Sequence, residues 1–198
     1  MSTHLDTVKR VLDGDYSKAT AEERETAVKE LVRVCSIAAG AVTIQPFPLL
    51  DTVLIAPIQI AMVQGIGKIH GHKLDAKSTL EILSTFGASI VAQNLIMAAA
   101  KFIPFLGWVV TISMGYALTW AIGEVSDHYF RNDRRVDERE LKAMFDRIYK
   151  AKRAEKTEEH QADKTLRDKL EQLKRAHADG VLTDAEFEAK KAQLLAAF

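Results

Sequence analysis

The chain has 198 residues, 47% of them hydrophobic, which is an ordinary globular share and enough for one core domain with an appendage. Its 27 basic residues balance 27 acidic ones, so a net charge of zero gives no electrostatic case for nucleic acid. Cys35 is the only cysteine, which excludes an intrachain disulfide and a cysteine zinc cluster, and its apolar surroundings predict a buried thiol.

Residues 1–24 read as an N-terminal helical arm, with a short helix around 5–12 closed by Gly14. Residues 1–18 mix His, Asp, Lys and Arg and do not resemble a secretory signal, so the polar parts are expected in the cytoplasm. Thr20-Ala21-Glu22-Glu23 has the form of a capping box, in which threonine oxygen and glutamate carboxylate satisfy open amides at a helix start. Ala27, Val28, Leu31, Val32 and Cys35 then recur at three and four, the spacing of a helix with one apolar face. Its second half, from Ser36 to Val42, is small and apolar all round.

Pro46 and Pro48 flank Phe47 and favour an extended path. Asp51 is placed to cap a helix over 52–70, and alone in a long uncharged region it is also a candidate buried acid. Pro57 predicts a kink or a late start in that helix, Gly65 and Gly67 a place for close approach, and Gly71 its stop. Gln59 lies on it among Ile55, Ile58 and Met62. Asp75 and Ser78 are alternative caps for the next helix, Ser78 having Glu81 three residues on.

Residues 82–123 contain one charged residue, Lys101. On each side of it lies an uncharged segment close to the roughly 20 residues a helix needs to cross a bilayer. Gly107, Thr111, Gly115, Thr119 and Gly123 place a small residue every four, a nearly straight groove along one helix face. Ser84, Ala88 and Ala92 offer a matching stripe, so 82–123 is expected to form a tight helical hairpin turning around 101–104. Basic residues on both sides of it (Lys68, Lys73, Lys77; Arg131, Arg134, Arg135) fit a membrane hairpin with cytoplasmic ends. Gln93 and Asn94 fit a hairpin buried in protein instead, because each amide needs a partner in hydrocarbon. Both settings stay open, as does a hairpin covered in one state and released to lipid in another.

A further amphipathic helix follows from 137 to about 152, with Leu141, Met144, Phe145, Ile148 and Tyr149 on one face. The apolar helical domain is thus 25–151. Residues 152–163 read as a linker or a solvated continuation of the helix. Residues 164–198 form a separate small unit: a helix bearing Leu166, Leu170 and Leu173, a break at Asp179-Gly180, then a third capping box, Thr183 to Glu186, opening a helix with Phe187, Leu194 and Leu195. So small a hairpin cannot bury much surface, and it is expected to pair with another copy or with the main domain through Leu170, Leu173, Phe187 and Leu194.

The fold class is therefore all-α: a helical bundle around a central apolar hairpin, with a small C-terminal helix-turn-helix. Motifs for chemistry are sparse. Gly65-Ile66-Gly67-Lys68 lacks the glycine spacing of a phosphate loop, and no nucleophile elbow occurs. His70-Gly71-His72 does not aim two rings at one point, so no metal site is expected, and His128 beside Asp127 reads as a polar cluster at a helix end. No catalytic residue and no cofactor are expected; Pro46, Pro48, Asp51 and Gln59 form a motif without an assigned role.

The run Pro46-Phe47-Pro48-Leu49-Leu50-Asp51, followed by Pro57-Ile58-Gln59-Ile60-Ala61-Met62-Val63 and Gly71, resembles a bacterial domain of unknown function found in YcjF-type inner-membrane proteins and behind some Era-like GTPases. The resemblance covers about 25–130 and implies an all-helical, membrane-associated domain without an established activity. It also implies a GTPase as a partner on a separate chain, since no GTPase motif is present here. Leu170, Leu173, Gly180, Val181, Leu182, Thr183, Glu186, Phe187, Lys190, Lys191 and Leu194 resemble the SHOCT module over about 165–196, which implies oligomerisation or partner binding. Together these predict a non-enzymatic membrane- or lipid-associated protein, homo-oligomeric, at the inner face of the cell membrane; the alternative is a soluble oligomeric adaptor.

Overall fold

The computed structural model describes residues 2–42, 50–85, 107–178 and 183–196. All secondary structure among these is helical: α1 (Ser2–Asp13), α2 (Ala21–Val42), α3 (Leu50–Ile69), α4 (Ala76–Thr85), α5 (Gly107–Arg131), α6 (Glu138–Ala178) and α7 (Asp184–Ala196). The chain divides into two compact units, Met1–Ala154 and Glu155–Phe198.

In the first unit the local signals act as sequence chemistry requires. Glu23 N–H donates to Thr20 Oγ1 at 3.2 Å while Thr20 N–H donates to Glu23 Oε2 at 2.7 Å, a reciprocal cap at the start of α2. Asp75, not Ser78, caps α4: its Oδ1 accepts from Ser78 N–H at 2.7 Å. Gly71 ends α3 with φ of +83°, and His72 N–H and Gly71 N–H return to the carbonyls of Gly67 and Lys68 in a Schellman motif. The end of α5 repeats that pattern without a glycine. Asp133 and Arg134 take φ of 51° and 65°, with Arg134 N–H on Tyr129 O and Asp133 N–H on Phe130 O.

One expectation at the start of α3 is corrected. The helix begins at Leu50, so Asp51 lies inside its first turn and not ahead of it. Of the two outcomes expected at Pro57, the late start does not occur: the helix is already formed before that exposed proline.

The core gathers α1, α2, α3, α5 and the first half of α6 around Leu31, Met62, Ile66, Leu118, Ile122 and Phe145. The most extensive packing is between α2 and α5, then α2 and α3, then α3 and α5. Gly40 lies against Ile112 and Tyr116, and Val32 against Gly123, so α2 and α5 run antiparallel. Buried Leu141, Phe145 and Tyr149 bring the start of α6 into the same core, the four-residue step predicted for that face. Further contacts fix its direction: His128 meets Glu140 and the Trp120 ring carries Lys152 at 4.6 Å, so α6 returns along α5.

In the second unit α6 continues without interruption through 152–163, which are helix and not an irregular linker. The α7 cap forms as predicted, with Thr183 N–H on Glu186 Oε2 at 2.9 Å. His177 stacks on Phe187 at 4.6 Å and pairs with Asp184 at 2.6 Å, joining the two helices of this unit. None of its described side chains is fully buried.

Candidate functional site: a polar cluster at one end of the bundle

Two buried polar ties connect α3 to α5, and both arise because an otherwise apolar interface leaves a polar side chain no water to bond. Gln59 donates from Nε2 to Thr119 Oγ1 at 3.2 Å, and both residues are buried. Eleven residues further on, just past the end of α3, His70 comes against α5. His70 donates from Nε2 to Asp127 Oδ1 at 2.7 Å, while Arg131, one turn on, donates from Nη2 to Asp127 Oδ2. The His70 and Asp127 side chains are only 10% and 11% exposed, so the carboxylate is held by two donors in place of water.

Charged residues of α2, α5 and α6 surround this pair. Glu25 pairs with Lys29 at 2.6 Å, and that contact holds its carboxyl below the ordinary value. Burial pushes the Glu124 carboxyl up, and the Asp127 charge adds to the effect against Lys29, Lys152 and Arg131. His128 donates to Glu140 at 3.1 Å. Two hollows open here. One, of about 360 Å³, is lined by Ala19, Ala21, Arg24, Glu25, His70 and Arg131. The other, of about 190 Å³, lies beside Glu124, Asp127 and His128. The single thiol, Cys35, is buried and pushed up to about 12, which leaves it protonated and unreactive at neutral pH. Among the described residues no group of three or more His, Cys, Asp or Glu is placed to hold a metal ion.

The residues singled out from sequence fall in several places. Pro46, Pro48, Lys101 and the segment 86–106 lie outside the described residues, and with them most of the predicted partner stripe. Its described end, Ser84, is exposed and turns its hydroxyl onto Glu81 O. Asp51 is in the first turn of α3, its side chain outside what is described, and Gln59 sits at the α3–α5 interface. Gly107 opens α5, while Gly115 and Gly123 are buried. A Cβ on Gly123 would stand 2.5 Å from Val32 Cγ2, so at this position the groove faces α2. Leu170, Leu173, Phe187 and Leu194 are half-buried within the second unit.

The His70–Asp127–Arg131 cluster was not foreseen. Its partners are 57 residues apart, and His70 had drawn attention only as a poor metal ligand. An aspartate interrupting an apolar helix was the available signal, since such a residue needs a donor from elsewhere.

Among the described residues no helix is long and apolar enough to cross a membrane. The family described as a domain of unknown function, DUF697, matches residues 9–154, and the short C-terminal domain SHOCT matches 168–195. The first match ends where the first compact unit ends, and it takes in the end of α1 and the start of α6, wider than the 25–130 of the resemblance. Magnetosome membrane protein 22 of Magnetospirillum gryphiswaldense is 25% identical over 117 residues, which cover 55% of this chain and 60% of that protein. The chain thus spans about three fifths of that relative's length. No solved structure matches the chain.

Proposed function

The chain belongs to the DUF697 family, and on that premise we propose that it is a non-enzymatic, membrane- or lipid-associated helical protein that self-assembles or recruits a partner through its SHOCT domain. The similarity to a protein named for its place in a magnetosome membrane carries the membrane part. In sequence, residues 82–123 carry one charge, a composition suited to lipid wherever the bundle does not bury it, and the basic residues flanking them suit the inner face of the cell membrane. The assembly part is supported by the second unit. Its half-buried leucines and Phe187 lack the burial of a stable core, so a second copy of the chain is the economical cover. Paired polar side chains and an unreactive thiol favour binding over catalysis.

A second proposal is a soluble oligomeric adaptor, with a GTPase on a separate chain as one partner. The tight seat of Gly123 on Val32 favours it, since that part of the small-residue groove is filled by this protein's own α2. Fractionation of cells expressing the full chain separates the two. Recovery with membranes, resistant to salt, supports the first; recovery wholly in the soluble fraction, with no binding to liposomes, removes it.

A further inference from the structure

The first helix, α1, is seated more lightly than the helices beneath it. Its packing on α2 and on α3 is less extensive than any packing among α2, α3 and α5. Among its described side chains only Val11 is buried, while Val8 and Leu12 are half-buried. Open hollows lie along both flanks. One, of about 540 Å³, is lined by residues that include Arg10, Val11, Tyr16 and Glu30; the other, of about 300 Å³, by residues that include Leu12, Ala61, Gly65 and Lys68. Polar ties hold the helix down beside them. Arg10 Nη2 spans both carboxylate oxygens of Glu30 at 2.8 and 2.7 Å, Lys68 Nζ donates to the Leu12 carbonyl, and Tyr16 Oη donates to the Val11 carbonyl at 3.1 Å. The Arg10 and Glu30 side chains are 66% and 45% exposed, so salt screens their attraction. Past Asp13 the chain leaves the helix and stays irregular from 14 to 20, a hinge at Gly14. An element with few buried apolar contacts and exposed polar ties opens well before the fold as a whole.

The surface under α1 is apolar. A Cβ on Gly65 would stand 2.7 Å from Leu31 and 2.8 Å from Leu12, so Leu12 lies over a trough at Gly65 beside the fully buried Leu31. We propose that α1 is a releasable strap: when Arg10 parts from Glu30, its apolar edge (Val8, Val11, Leu12) and the trough at Gly65 and Leu31 turn to a lipid surface. The lipid part rests on the membrane association proposed above. On α1 Asp6 and Asp13 offset Lys9 and Arg10, so the strap meets lipid by apolar contact and not by charge. Salt therefore promotes this attachment, by loosening the Arg10–Glu30 pair, where a charge-driven one would weaken.

The test is hydrogen exchange of the full chain, followed by flotation with vesicles of phosphatidylcholine. Amides of α1 should exchange roughly tenfold faster than those of α2 and α3. Glu30→Gln should quicken α1 alone by roughly threefold, the effect of losing an exposed pair, and the double change Arg10→Glu with Glu30→Arg should restore the parental rate. More Glu30→Gln than parent should float at low salt, and the parent should gain as salt rises. Exchange of α1 no faster than α2 and α3, or a rate indifferent to both the single and the double change, would overturn the strap. Exchange involves no lipid, so it judges the strap apart from the membrane reading. An opening strap with no flotation by any variant would overturn its lipid role together with that reading. Flotation of the parent that Glu30→Gln leaves unaltered would overturn the lipid role of the strap alone.

Discussion

Replacing Gly123 with alanine sets two effects of known size against each other. Alanine is favoured over glycine inside a helix by about 0.8–1.0 kcal/mol. The added methyl, however, would stand 2.5 and 2.8 Å from the two γ-carbons of Val32 and 3.2 Å from its β-carbon. A β-branched side chain on a helix has essentially one rotamer, so Val32 cannot swing aside and the α2–α5 spacing must yield. Overpacking of that kind costs about 1–3 kcal/mol, which leaves Gly123→Ala destabilised by roughly 0–2 kcal/mol. Gly65 is the internal control. There a Cβ would meet methyl ends of Leu31 and Leu12 at 2.7 and 2.8 Å, atoms that move by small rotations. Gly65→Ala should therefore be neutral or slightly stabilising. Thermal unfolding resolves the difference, at about 2–4 °C per kcal/mol for a chain of this size. Pairing Gly123→Ala with Val32→Ala should turn the glycine substitution favourable, because the obstructing methyls are gone. A Gly123→Ala chain more stable than its parent by the whole helix-propensity gain, like Gly65→Ala, would refute the close approach of α2 and α5.

The remaining expectations concern the charged end and the tail. Asp127→Ala leaves His70 without its acceptor and should cost about 1–3 kcal/mol, measured by urea unfolding; an unchanged midpoint would mean the pair is not buried in solution. Glu124 has its folded pKa raised by burial and by Asp127, so the stability it contributes is fully present below its unfolded pKa and is lost as pH rises through the folded value. Glu124→Gln should therefore unfold at higher temperature than the parent at neutral pH, the gap closing below the ordinary glutamate range; a gap of constant size across pH would contradict this. Phe187→Ala removes the ring stacked on His177 and should lower the mass of the full chain measured by light scattering; an unaltered mass would remove the tail from self-association.

What was legible in sequence was local. Thr20 with Glu23 and Thr183 with Glu186 declared helix starts because both partners of a capping box lie within one turn. Leu141, Phe145 and Tyr149 declared a buried face because side-chain direction repeats with the helix. Pairing between distant helices was not legible. A stripe of small residues states that something comes close without stating what, and the small, apolar second half of α2, with Ala39 and Gly40, was the competing surface that the hairpin expectation passed over. Gln59 was conspicuous, but its partner Thr119 had been counted only as a small groove residue.

The central functional claim is that this helical protein engages lipid. It is tested most directly by mixing the full chain, purified without detergent, with liposomes of bacterial lipid and centrifuging through a density gradient. The protein is expected to rise with the vesicles and to stay with them in high salt, as apolar contact requires. Protein left at the bottom of the gradient, at every lipid concentration and salt, would contradict the claim and leave the soluble adaptor.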